Sequence, residues 1–191
     1  IKFLILNKME PAIPKNKLFS NSNKALFIIH DLYQEDNQFP LGPAYLVAVL
    51  KDNGASVEAY CMDVFHYTNE QLAEHLQKNE YDIIGLGFLA ARFVETVVDL
   101  CDVINKNKKK AWLVLGGHGP SPIPEYVLRK TNADIVAIGE SENTIVDLLA
   151  CKITGGDLAK VGGIAYLKND VFTQTSKNRP IMDLNKIPLP L

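Results

Sequence analysis

The stretch WLVLGGHGPSPIPE, residues 112–125, passes from a run of apolar side chains straight into a glycine pair, a histidine and a proline-rich turn. An apolar run without polar alternation marks a strand covered on both faces, as in a parallel sheet. Glycine at the end of such a strand permits positive φ and lets another group approach the backbone. The stretch therefore predicts a buried parallel strand whose carboxyl end has been stripped of side chains.

The same rhythm extends in both directions. KFLIL (2–6), SVEAYC (56–61), DIIGLG (82–87), AWLVLG (111–116) and DIVAIG (134–139) read as strands. Between them, LGPAYLVAVLKDNG (41–54), TNEQLAEHLQKN (68–79), VETVVDLCDVINKN (94–107), IPEYVLRK (123–130) and SENTIVDLLACKI (141–153) repeat apolar residues every three or four positions and read as helices. Asn53-Gly54 is a helix stop, and Thr68 with Gln71 forms a capping box. Alternating strands and helices predict a doubly wound α/β domain over residues 1–152, Rossmann-like or flavodoxin-like, with a five-stranded parallel sheet and helices on both faces. Residues 7–40 form a long excursion between the expected first strand and first helix, and ALFII within it is a candidate extra strand. Long excursions inside compact domains are often functional. Residues 153–178 are expected to add a β-hairpin turning at Asn169-Asp170, and the proline-punctuated 179–191 reads as a linker to a further domain.

Composition limits the function classes. The 191 residues are 47% apolar, and 20 basic residues face 22 acidic ones. The only basic run is KNKKK at 106–110, which reads as a solvated helix end, so nucleic acid and anionic membrane are not expected partners. No apolar run has the length of a membrane span, and IKFLIL is too short for a signal-peptide core, which makes the cytoplasm the default compartment. Cys61, Cys101 and Cys151 lie 40 and 50 residues apart, matching neither a disulfide framework nor a metal spacing, and read as buried small side chains.

Ligands of open parallel sheets bind outside the carboxyl ends of the strands. The loops there are GLGFLAAR (85–92), GGHGPSP (116–122) and GESENT (139–144), all glycine-rich. GLGFLA matches a GxGxxA dinucleotide pattern but follows the third strand, and the next strand ends in Leu115-Gly116 rather than an acid. No GxxxxGK[ST] phosphate loop occurs. A phosphoacceptor receiver would end its third strand in aspartate, where this chain has Gly87-Phe88. A flavodoxin-type Ser/Thr-rich phosphate loop is absent too.

Five stretches, FPLGPAYLVAVLKDNGASVEAYCMD (39–63), YDIIGLGFLAA (81–91), LVLGGHGPSPIPE (113–125), ADIVAIGESENTIVDLL (133–149) and VGGIAYLKNDVFTQTSKNRPIMDLNKIPLPL (161–191), resemble in order the amino-terminal cobalamin-binding domain of radical SAM enzymes. The resemblance implies a corrinoid held above the carboxyl ends of the strands, its nucleotide tail passing down between the sheet and neighbouring helices. It implies cofactor contacts from Gly85, Gly87, Phe88, Leu89, Gly116, Gly117, His118, Gly119, Gly139 and Glu140. The D-x-H-x-x-G motif that supplies a lower-axial histidine in other cobalamin carriers is missing. His118 and His30 remain as candidate cobalt ligands, with surface or packing roles as the alternative.

The C-x-x-x-C-x-x-C loop that holds a [4Fe–4S] cluster in radical SAM enzymes is also missing, so the cluster and S-adenosylmethionine are expected in a separate radical SAM core acting in cis. No catalytic centre is expected in this chain. Its expected function is to bind cobalamin and present it to that core for methyl transfer to an unactivated carbon. The rival is an interaction or regulatory module that keeps the fold without the cofactor; a free-standing enzyme finds no nucleophile–base pair here. Glu140 and Glu142 read as acids favouring a helix dipole, His66 and His75 as surface residues, and Trp112 as core or sheet edge. Tyr33, Tyr45 and Tyr60 are open to two readings, flanking a corrin ring or ordinary packing.

Overall fold

A computed structural model of the chain describes residues 17–31, 40–89, 96–177, 181 and 183–190. Seven strands form one sheet in the order β2-β1-β3-β4-β5-β6-β7. The strands are β1 (Lys24–Ile29), β2 (Ser56–Cys61), β3 (Ile83–Gly87), β4 (Trp112–Gly116), β5 (Ile135–Ala137), β6 (Ile164–Lys168) and β7 (Val171–Gln174). The first five pair in parallel, whereas β6 runs antiparallel to β5 and β7 antiparallel to β6. The helices are α1 (Leu41–Asp52), the single turn α2 (Met62–Phe65), α3 (Asn69–Lys78), α4 (Val98–Asn107), α5 (Pro124–Thr131) and α6 (Glu142–Thr154).

Alternation along the strands divides the core into two layers. Leu26, Ile28, Ile84, Leu86, Leu113 and Leu115 face α3, α4 and α5. Their neighbours Ala25, Phe27, Ile83, Val114 and Ile135 face α1 and α6, through Leu50 of α1 and Ile145, Leu148 and Leu149 of α6. A strand with both faces buried cannot show polar alternation, which is why these segments are apolar throughout. Helices on opposite faces follow from right-handed crossovers: the step from β1 to β2 goes one way across the sheet and the later steps go the other.

ALFII is a strand, and it occupies the centre of the parallel sheet between β2 and β3. The expected strand at 2–6 lies outside the described residues. Among the described residues Lys24–Ile29 is the first of five parallel strands, and residues 30–40 connect it to α1. A short connection is the commoner arrangement in α/β units. The hairpin extends this same sheet.

Local chemistry closes the elements where the residue types dictate. The Thr68 hydroxyl accepts from the Gln71 amide and the Gln71 side chain accepts from the Thr68 amide, a reciprocal capping box at the start of α3. α1 ends at Asn53, and Gly54 follows at φ +97°, where an added Cβ would lie 2.5 Å from the Phe19 carbonyl oxygen. Asn169 and Asp170 take φ of 50° and 64°, the paired left-handed conformation of a tight hairpin turn. Cys101 and Cys151 are buried and Cys61 is partly exposed. Burial pushes the Cys101 thiol up to about 12.

Two outcomes follow. Thr68→Ala lowers stability by about 1 kcal/mol, read as a shift of the urea midpoint at unchanged slope. Iodoacetamide at pH 8 modifies Cys61 first and reaches Cys101 only on unfolding, because a thiol held near 12 has almost no thiolate; labelling of Cys101 in the folded chain contradicts its place in the core.

Candidate cofactor site at the carboxyl edge

Strand order reverses at β1, whose neighbours β2 and β3 follow it on opposite sides. In open α/β sheets the crevice for ligands lies at that reversal, outside the carboxyl ends of the strands. Its walls begin with His30-Asp31 after β1 and Phe88-Leu89 after β3, and it continues over the loops following β4 and β5.

The glycines of these loops are of two physical kinds. An added Cβ at Gly85 would lie 2.7 Å from the Phe27 ring, so that glycine makes room for a neighbouring side chain. At Gly119 it would lie 2.7 Å from the Phe88 ring and 2.8 Å from the Phe88 carbonyl oxygen. Phe88 is itself buried, and it laces two loops together. Its amide donates to the Gly116 carbonyl at 3.3 Å, and its carbonyl accepts from the Gly119 amide at 3.1 Å. Gly117 between them is held at φ +98°.

The second kind leaves space. Gly87 pairs with Gly116 across β3 and β4, and a Cβ on Gly87 would meet nothing closer than the Gly116 oxygen at 3.6 Å. A Cβ on Gly116 would first meet that of Ala137, at 3.8 Å. Gly87, Gly116 and Ala137 therefore form a row of minimal side chains across three adjacent strands, at the carboxyl edge of the face that α1 and α6 cover. In α1, which packs on the same face of the sheet, the residues from Leu41 to Val47 are exposed or half-buried, and burial begins only at Ala48. Gly139 (φ +78°) ends the row with open space within 4 Å of any added Cβ. A flat apolar group entering from this edge would meet backbone rather than side chains.

Polar groups flank the row. Ser121 bridges two loops: its hydroxyl donates to the Gly117 carbonyl at 2.8 Å and accepts from the Gly139 amide at 3.4 Å. His118 and Glu140 are exposed at the rim, whereas His30 is buried. Asp31, also buried, lies with Oδ2 2.7 Å from Nδ1 of His66, which follows α2. Around these groups stand exposed apolar side chains from four connections: Leu41 (54% exposed), Phe65 (62%), Leu89 (63%) and Ile123 (48%).

One pair of residues and one bridging residue were invisible as such in the sequence. Asp31 and His66 are 35 positions apart, and Asp31 gains meaning only once β1 is Lys24–Ile29. Ser121 sat within a quoted loop, without a signal that it links β4 to β5. His75 is no plain surface residue: its Nε2 lies 2.8 Å from the Tyr81 hydroxyl and 3.1 Å from Glu58, on the flank of the sheet beside β2. Tyr60 is buried against Tyr67 and His75, which is the packing reading. A separate cavity of about 960 Å³ is lined by Val49, Glu142, Val146, Val161 and residues of the 181–188 segment; none of Gly85, Gly87, Gly116, Gly117 or Gly139 lines it.

The model of the B12 binding domain family matches residues 35–149, from just before α1 to the body of α6. This chain belongs to the B12-binding domain family. A search of curated proteins finds no match to this B12-binding domain. Among solved structures it is similar to the cobalamin-dependent S-adenosylmethionine radical enzyme OxsB with aqua-cobalamin and S-adenosylmethionine bound. The TM-score is 0.73 at 21% identity, over 83% of this chain and 22% of that one. It is similar also to the radical S-adenosylmethionine methyltransferase TsrM from Kitasatospora setae with cobalamin and a [4Fe–4S] cluster bound, with a TM-score of 0.72 at 17% identity, over 89% and 31% of the two chains. A cobalamin-binding protein from Desulfitobacterium hafniense DCB-2 aligns over 66% of this chain and 57% of its own, with a TM-score of 0.50 at 12% identity. These likenesses show the shared fold, and the chain spans only 22% and 31% of the length of the two radical enzymes it resembles.

The contacts at Phe88 make one outcome specific. Gly119→Ala drives a methyl group into the Phe88 ring and carbonyl and lowers stability by about 1–3 kcal/mol, measured by urea unfolding. An unchanged midpoint would mean that the two loops are not laced through Phe88.

Proposed function

We propose that this domain holds a cobalamin across the carboxyl edge of its sheet and presents the outer face of the corrin to a radical SAM catalytic domain. The observation that carries the reading is the row of Gly87, Gly116 and Ala137 at the carboxyl edge of the sheet, in a chain of the B12-binding family. A row without side chains suits the nucleotide tail. Gly139, Gly117 and the rim residues Leu89, His118 and Glu140 suit the corrin and its amides. Gly85, Phe88 and Gly119 act one step removed, by fixing the backbone on which those contacts depend.

When bound, cobalamin supplies a metal centre that carries a one-carbon group. The chain's own residues position that cofactor and exclude water from its lower face. The apolar side chains Leu41, Phe65, Leu89 and Ile123 are exposed where a corrin and a covering domain would meet them. The full reaction proposed is methyl transfer to an unactivated carbon, with S-adenosylmethionine and the iron–sulfur cluster held by the catalytic domain.

Titration of the purified chain with hydroxocobalamin, followed by visible spectrum and heat together, is expected to show saturable one-to-one binding. The Cβ of Gly87→Val meets nothing closer than 3.6 Å and its methyl groups fill the row, so the variant is expected to fold and to weaken binding at least tenfold. Wild-type binding that Gly87→Val leaves untouched overturns the placement of the tail. No binding at high micromolar cobalamin overturns the carrier reading and favours an interaction module using the same apolar rim.

A further inference from the structure

A polar cluster joins the edge strand β2 to α3, on the face of the sheet opposite the row of small residues. The Tyr81 hydroxyl donates to Oε2 of Glu58 at 2.6 Å, the length of a charge-assisted O–H···O⁻ bond. A hydroxyl has one proton, and with that proton given to Glu58 the oxygen accepts from His75, whose Nε2 lies 2.8 Å away. Nε2 therefore carries the ring proton, and it lies also 3.1 Å from Oε1 of Glu58. The phenol oxygen thus has a base in place to take its proton and a donor that stays when the proton leaves.

Aromatic rings link this cluster to the carboxyl edge. Tyr81 stands just before β3, at the amino edge of the sheet, with its ring centroid 6.2 Å from that of His75. His75 lies 4.7 Å from Tyr60 of β2, and Tyr60 lies 4.8 Å from Tyr67. Phe65 of α2, beyond the carboxyl end of β2, stacks on Tyr67 at 5.2 Å. All four separations are those of rings in contact. We propose that Tyr81 is a one-electron redox site, that Tyr60 and Tyr67 relay electrons from it to the carboxyl edge, and that Glu58 takes its proton. A phenol that loses an electron while keeping its proton becomes a strongly acidic radical cation, so a base within hydrogen-bond reach makes the oxidation easier. The substrate class is an organic radical at the carboxyl edge. That radical gains an electron through Tyr67 and Tyr60 and a proton from water, and closes to a C–H bond. Tyr81 loses the electron, its proton passes to Glu58, and a neutral phenoxyl remains, hydrogen-bonded to the Nε2 proton of His75. A soluble thiol restores Tyr81 by giving up a hydrogen atom, and Glu58 releases its proton to water. Glycine Cα–H bonds are readily attacked by radicals, and glycines line the carboxyl edge at Gly87, Gly116, Gly117 and Gly139. A path through tyrosine spares them, whatever cofactor fills the row.

The test uses the 191-residue chain with a ruthenium polypyridyl photo-oxidant attached through Cys61, the partly exposed thiol at the carboxyl end of β2. A flash in the presence of a sacrificial electron acceptor generates the oxidant at that edge, and the frozen sample is read by electron paramagnetic resonance. The expected result is a persistent tyrosyl signal coupled to one exchangeable proton, that of His75 Nε2. The signal is lost in Tyr81→Phe and kept in Tyr126→Phe, and in His75→Phe it loses the exchangeable coupling. Glu58→Gln lowers its yield about tenfold, because an amide does not take the proton. Tyr60→Phe delays its appearance in transient absorption. Urea unfolding of each variant separates these effects from loss of the fold. A tyrosyl signal that survives Tyr81→Phe, a yield indifferent to Glu58→Gln, or no tyrosyl signal in the wild type overturns the redox site. A signal that arises as fast in Tyr60→Phe as in the wild type overturns the relay.

Discussion

The reversal of strand order at β1 is the constraint on which the molecule depends. After β1 the chain steps to one side to make β2, then crosses back over β1 to make β3. Because each crossover must be right-handed, α1 is forced onto one face and α3 to α5 onto the other. The connections out of β1 and β3 lead to opposite faces, the arrangement that places a ligand crevice at the carboxyl ends of such strands. The residue choices then exploit an opening that topology has made.

Those choices fall into a division of labour between glycine and phenylalanine. Phe27 fills the space Gly85 leaves, and Phe88 fills the space Gly119 leaves while bonding through its backbone to both flanks of the β4 loop. These two rings give the glycine-rich loops the rigidity that glycine itself withholds. With the backbone so fixed, Gly87 and Gly116 can leave space without that space collapsing. An open row in a well-packed α/β layer forfeits dispersion contacts and is stable only where the surroundings are rigid or a ligand restores them.

Much of this was legible in the residues. Continuous apolar runs announced buried parallel strands, and Asn53-Gly54, Thr68 with Gln71, and Asn169-Asp170 each specified a local closure that the backbone adopts. That ALFII takes the centre of the sheet was not legible from apolarity, since KFLIL and ALFII share the same pattern. Nor could the glycines be sorted by sequence. Whether a missing Cβ accommodates a neighbour or a ligand depends on what stands opposite, and Phe27 lies 58 residues from Gly85. The Asp31–His66 pair was hidden for the same reason: it is made by two adjacent strands, and its members become neighbours only when the sheet is assembled.

Hydrogen–deuterium exchange with and without hydroxocobalamin tests the central claim most directly, because it reads the location of the site without altering the chain. The account predicts slowed exchange at the carboxyl edge, in 86–89, 117–121 and 138–141 and in the first turns of α1. It predicts no change at the amino edge around Lys108 and Trp112. Protection centred instead on 158–162 and 181–188, around the separate cavity, would contradict it.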